Sequence, residues 1–117
     1  MTHSYDAIII GTGQAGPFLA RRLPQAGMSV AIVERHLLGG TCVNTGCIAT
    51  KTMVASAYAA HLARRAADFR VAVGGQVGVD MRGVKARKDA IVEQARVGVE
   101  KMLRRAPRHR AIHLDCG

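Results

Sequence analysis

A parallel α/β fold that runs into a long helical pair is what these 117 residues predict. Three observations carry the prediction. An apolar, isoleucine-rich run stops at a glycine-rich turn and is followed by a helix and a second apolar run. An alanine-rich stretch then has strong helix propensity. A capped amphipathic segment of about seven turns comes next.

The first strand is expected over Tyr5–Ile10, where β-branched isoleucines suit a buried parallel strand. The chain then turns at Gly11-Thr12-Gly13-Gln14-Ala15-Gly16 and enters a helix carrying Phe18, Leu19, Arg22 and Leu23. Pro17 is tolerated in the first turn, where its missing N–H has no internal partner anyway. Pro24 falls in the last turn and should shorten or kink the helix before Gly27. Ser29–Val33 reads as the second strand, with Glu34 at its carboxyl end. Arg35–Gly46 reads as a loop, because Gly39-Gly40, Asn44 and Gly46 supply backbone freedom that a regular element does not need. A helix is expected from Ile48 to Ala67, with Met53, Ala57, Ala60 and Ala63 at three- and four-residue steps. Val71–Val79, broken by Gly74-Gly75, is a loop or short hairpin-like excursion. Asp80 is a candidate N-cap for a second long helix to about Arg105, whose Val84, Ile91, Ala95, Val99 and Met102 share one face. Pro107 ends it, and Ala111–Leu114 can form one more short strand.

Composition narrows the function classes. Hydrophobic residues make up 49% of the chain, which excludes a disordered polyelectrolyte despite a formal charge of +9. Aromatics are 3% with no Trp, a poor basis for stacking nucleic-acid bases. Ten basic residues against three acids fall within 82–110, and with no binding motif beside them they read as a solvated helix face and tail. No nucleic-acid or membrane partner is therefore expected. The apolar run Ala7–Ile10 is far short of a membrane span, and Met1–Asp6 opens no secretory leader, so a cytoplasmic protein is expected. Three cysteines are too few and too clustered for a disulfide-stapled secreted scaffold.

Gly11, Gly13 and Gly16 follow a strand and open a helix, and Glu34 lies 18 residues beyond Gly16 at the end of the next strand. Dinucleotide binding needs that arrangement. Gly11 permits the tight turn, Gly13 lets a pyrophosphate approach the backbone, and Gly16 lets helix and strand pack closely. The N–H groups of Gln14 and Ala15 face the phosphates at the positive helix end, and Glu34 accepts from an adenosine ribose. The fold is thus Rossmann-type, and the ligand FAD or NAD.

Cys42-Val43-Asn44-Thr45-Gly46-Cys47 is the second motif. No second Cys or His pair completes a zinc site. Two reduced cysteines and a redox bridge remain open, and the bridge makes a geometric demand. On a regular helix the two Cα atoms would stand about 9 Å apart, beyond the roughly 7 Å limit for a disulfide. Such a bridge therefore requires distortion, which Asn44 and Gly46 allow. Cys47 also precedes a helix, whose N-terminus would stabilise a thiolate.

Gly39-Gly40-Thr41-Cys42-Val43-Asn44-Thr45-Gly46-Cys47, followed by Ile48-Ala49-Thr50-Lys51, resembles the redox motif of the class I pyridine nucleotide-disulfide oxidoreductases. The glycine turn and Lys51–Ala57 look closest to the mercuric-reductase-like branch, and the resemblance runs from about residue 5 to 105. It implies an FAD-dependent oxidoreductase that takes electrons from NAD(P)H and passes them through a Cys42–Cys47 disulfide to a small disulfide or mercuric ion. By position Cys47 would face the flavin and Cys42 would be the interchange thiol. Gly40 and Thr41 would contact FAD, Arg35 would stand beside Glu34 at the cofactor, and Lys51 would tune the flavin through its charge. Ala49 departs from the family's usual Pro, and Pro24 from its usual helix former. Residues 1–117 are expected to be the N-terminal part of an FAD-binding domain, without the nicotinamide and dimerisation domains of a homodimeric enzyme. A catalytically silent remnant or flavin-binding module is the alternative. His3, His36, His61, His109 and His113 match none of the family's motifs and read as incidental, as does Cys116.

Overall fold

A computed structural model describes residues 3–105 and the backbone of 109–113. Three parallel strands, β1 (Ala7–Ile10), β2 (Val30–Glu34) and β3 (His109–His113), lie in the order β1-β2-β3. Ala7 pairs with Val30 and Ile9 with Ile32, while Val30 pairs with His109 on the other side. β1 begins two residues later than the sequence suggests, because Asp6 is engaged in a clip before it. The Asp6 carboxylate accepts from the Ser29 N–H and hydroxyl, both at 2.7 Å, while the Asp6 N–H donates to the Ser29 carbonyl at 2.9 Å. β3 is displaced slightly from the expected Ala111–Leu114, and Leu114, Pro107 and Cys116 lie outside the described residues.

Helix α1 (Gly16–Arg22) carries Pro17 in its first turn. It tightens into a 3-10 turn, Leu23–Ala26, where Pro24 sits, and Gly27 at φ +85° ends it. The missing Pro24 N–H does the shortening expected of it. Ala20, Val30, Ile32 and Leu103 form the buried core, with Ile9, Leu23, Met28 and Val99 packed around them. Burying Val30, Ile32 and Leu103 there contributes about 1.5–3 kcal/mol each. Only one face of β1 is covered: Ile8 and Ile10 are 64% and 88% exposed, so the strand is half-buried rather than fully buried as expected.

The segment expected to be all loop contains a short helix, α2 (Gly40–Asn44). Helix α3 follows at once (Cys47–Arg64), then a 3-10 turn over Ala66–Phe69. Residues 71–80 form no regular element. Helix α4 (Met81–Arg104) starts as anticipated, the Asp80 side chain accepting from the Arg82 N–H at 3.0 Å. α3 and α4 form the long pair. Arg87 ties them by donating to the Thr52 carbonyl at 3.1 Å and the Ser56 hydroxyl at 3.2 Å. The molecule is accordingly elongated, 67 × 33 × 17 Å. Among the described residues, no helix is long and apolar enough to cross a membrane.

Candidate functional site

The tight bend expected at Gly11 and the close packing expected at Gly16 are both present. Gly11 sits at φ +93°, a conformation that favours glycine. A Cβ at Gly16 would overlap the Gly11 carbonyl oxygen, so this glycine is what lets α1 approach the end of β1. A Cβ at Gly13 would meet nothing within 4 Å, so the space over the turn is open. Gln14 and Ala15 are exposed at the start of α1, whose first turn has no side-chain cap. Its leading N–H groups have no acceptors within the helix.

Glu34 is more firmly held than a strand-end carboxylate need be. Its Oε2 accepts from the Thr12 N–H at 2.9 Å and the Thr12 hydroxyl at 2.6 Å, and its Oε1 accepts from the His36 N–H at 3.2 Å. Partial burial pushes its pKa up, but bonds from the Thr12 hydroxyl and N–H and from the His36 and Arg35 N–H groups outweigh it and hold the carboxyl below 4.5. With the Arg35 N–H these bonds come to four, about the number of acceptor sites a carboxylate has, so a ligand hydroxyl would share an oxygen with one of them. Beside Glu34 opens a cleft of about 350 Å³, walled by Thr12 and Leu37 on one side and by Glu93, Arg96 and Arg104 of α4 on the other. Arg35 is exposed and is not among the cleft's lining residues.

The cysteine motif is built directly against this turn. A Cβ on Gly40 would lie 2.8 Å from the Gly13 Cα, so the first residue of α2 rests on the glycine turn itself. Cys42 and Cys47 are bridged, with Cα atoms 4.7 Å apart. The distortion that permits this falls at Thr45 and Gly46, where φ is −136° and −110°, between α2 and α3. Gly46 contributes by its size: an added Cβ there would lie 2.9 Å from the Thr41 carbonyl oxygen, which instead accepts from the Thr45 and Gly46 N–H groups. Asn44 contributes otherwise than expected. It stays helical, and its Nδ2 donates to the carbonyls of Leu38 and Gly40 at 2.9 and 3.0 Å, while its Oδ1 is buried with no partner among the described residues. Cys47 is the first residue of α3, and Lys51 lies one turn further on the same helix, exposed. Thr41 is exposed beside Cys42.

Two residues escaped the sequence reading. Thr12 is 1% exposed and touches both motifs; its signal is a hydroxyl inside a tight turn, which once buried must find partners. Glu93 is an exposed acid on α4, as its place on the helix face suggests, and it also lines the same cleft as Glu34. No sequence pattern announces that, since it depends on how α4 docks on the sheet.

Residues 5–113 match the family described as pyridine nucleotide-disulphide oxidoreductase. The chain is 39% identical over 105 residues to dihydrolipoyl dehydrogenase from Acholeplasma laidlawii, covering 90% of this chain and 31% of that one. It is 37% identical to dihydrolipoyl dehydrogenase from Bacillus subtilis, 22% of which it covers. Among solved structures it resembles the Cu(II) complex of the HOCl-induced flavoprotein disulfide reductase RclA from Escherichia coli. The TM-score is 0.73 at 32% identity, covering 97% of this chain and 22% of that one. The chain thus spans between a fifth and a third of the length of these relatives. With an open glycine turn, a strand-end carboxylate and a bridged cysteine pair packed together, the chain belongs to the pyridine nucleotide-disulfide oxidoreductases.

Proposed function

We propose that this chain is the FAD-binding, disulfide-bearing N-terminal part of a flavoprotein oxidoreductase that passes electrons from NAD(P)H to a small disulfide. The observation that carries the reading is the rest of Gly40 on Gly13, which sets the Cys42–Cys47 bridge beside the open dinucleotide turn. The residues present suit FAD: the free space at Gly13 accommodates a pyrophosphate, and the Glu34 carboxylate lines a cleft of small-molecule size where a ribose hydroxyl would reach it. Bound flavin would supply the electron pair, drawn from NAD(P)H, that converts the bridge to two thiols.

The chain's own part is thiol–disulfide exchange. In the reduced state the Cys42 thiolate attacks one sulfur of the substrate disulfide and expels the other as a thiolate, which takes up a proton. Cys47 then attacks the Cys42 sulfur, re-forms the bridge and releases the second substrate thiol. Cys47 suits the second role because the start of α3 favours its thiolate. Gln14 and Ala15 would bind the phosphates through their N–H groups, with Arg35, Thr41 and Lys51 adding charge and polar contacts around the cofactor. A homodimeric, cytoplasmic complete enzyme belongs to this reading. A metal ion such as mercuric ion is a second electron acceptor; in its favour, the similar E. coli reductase was solved as a Cu(II) complex. That these 117 residues span 22–31% of the relatives favours a flavin-binding module without turnover when they stand alone.

Titrating the purified chain with FAD, followed by flavin fluorescence, tests the reading. Saturable one-to-one binding is expected. A folded chain that leaves FAD free would refute it.

A further inference from the structure

Thr12 stands between the two halves of the site. Its hydroxyl donates to Glu34 Oε2 at 2.6 Å and accepts from the Gly39 N–H at 3.0 Å. Both Thr12 and Gly39 are buried, so neither bond is exchangeable with bulk water at no cost. Gly39 sits at φ +102°, immediately ahead of α2, and an added Cβ there would lie 2.7 Å from the Val43 side chain. Gly39 is therefore wedged against the residue next to Cys42. A shift of Gly39 is passed to α2, and through α2 to the bridge.

We propose that Thr12 is a positioning residue for both motifs at once: one hydroxyl fixes the ribose-binding carboxylate of Glu34 and, through Gly39, the placement of α2 that brings Cys42 to Cys47. In glycine-rich turns of this kind the second position needs no side chain to hold a phosphate, since backbone N–H groups do that. A buried hydroxyl there has another purpose. It gives the Gly39 N–H an acceptor that the backbone does not supply and orients the Glu34 oxygen that it binds. The nucleotide half of this inference rests on the proposed flavin site; the disulfide half does not.

The test compares wild type with Thr12→Val, which keeps the shape and loses the hydroxyl, and Thr12→Ser, which keeps the hydroxyl. Two readouts are taken on the full chain: the Cys42–Cys47 equilibrium against a glutathione redox buffer, and ADP affinity by calorimetry. In Thr12→Val the bridge is expected to be about tenfold easier to reduce, a rise of about 30 mV, and ADP to bind about tenfold more weakly. Thr12→Ser is expected to restore both to within about threefold. Should Thr12→Val fail to fold, the pair Thr12→Ser and Thr12→Ala differs by the same hydroxyl and takes its place. An unchanged bridge equilibrium in a folded hydroxyl-less variant overturns the proposal. So does a hydroxyl needed only for folding, seen as Ser folded and both Val and Ala unfolded. Wild type that binds no ADP refutes the flavin reading instead, and the bridge equilibrium still decides the role of Thr12 in positioning α2.

Discussion

The sheet end and the distal helical pair are held together by different means. At the sheet end, aliphatic side chains bury fully and a polar chain from Glu34 through Thr12 to Gly39 closes over the glycine turn. Along the helical pair Val54 and Tyr58 stay about 60% exposed, and among the described residues the side-chain bonds joining the two helices come from Arg87. The ion pairs of α4, such as Lys85–Asp89 and Arg104–Glu100, run along its surface and are worth a few tenths of a kcal/mol each. The difference teaches that identity matters residue by residue at one end, whereas at the other almost any good helix former would serve. Shape at the sheet end is specified by contacts that tolerate no extra atom.

The same substitution made at each end tests this most severely. Gly16→Ala drives a methyl into the Gly11 carbonyl and is expected to cost about 3 kcal/mol or abolish folding. Gly98→Ala, with open space around it in the middle of α4, is expected to stabilise by about 1 kcal/mol. Urea unfolding followed by circular dichroism reads both; equal effects at the two sites would erase the contrast.

Glu34→Gln probes the polar end alone. It removes the charge from bonds to Thr12 and to a ribose, and since a charged hydrogen bond is worth about 1.5–3 kcal/mol, FAD affinity should fall about ten- to a hundredfold. Some stability goes with it, because the structure gives this carboxylate partners in Thr12 and His36. Glu93 is unsuited as the comparison acid, since it lines the same cleft. Asp68, paired with Arg65 near the end of α3, is the better one, and Asp68→Asn should leave FAD binding unchanged.

The bridge belongs to the sheet end as well. Its closed loop is short, so mild reduction should lower stability by about 2 kcal/mol, with thiol mapping placing both new thiols at Cys42 and Cys47 and leaving Cys116 outside the pair. Acid gives a smaller effect with a definite sign. The Glu34 carboxyl is held below its ordinary value, so its contribution is fully present only well above the unfolded pKa and is lost as pH falls through the depressed folded value. Stability of Glu34→Gln should show less acid dependence than wild type in a pH series of urea melts. Least of all, Glu100→Gln on α4 should change stability by under about 0.5 kcal/mol.

What was legible in the sequence follows the same division. The glycine spacing, Glu34, the effect of Pro24 and the Asp80 cap depend on a few neighbouring residues, and the structure has each where local chemistry puts it. α2 was hidden because Gly39, Gly40 and Asn44 argue locally for a loop, and tertiary contacts override them: Gly40 against Gly13, Gly39 against Val43, Asn44 against two carbonyls. The bare face of β1 was equally unreadable, since isoleucine at positions 8 and 10 looks the same whether or not anything covers it.

The central claim is that the glycine turn and the cysteine bridge form one redox site. The most direct measurement loads the purified chain with FAD, photoreduces the bound flavin anaerobically and counts thiols by mass-mapped alkylation. Two new thiols per flavin, at Cys42 and Cys47, are predicted, with none gained in an identically treated sample lacking FAD. Flavin that is bound and reduced while the Cys42–Cys47 bridge stays intact would contradict the account.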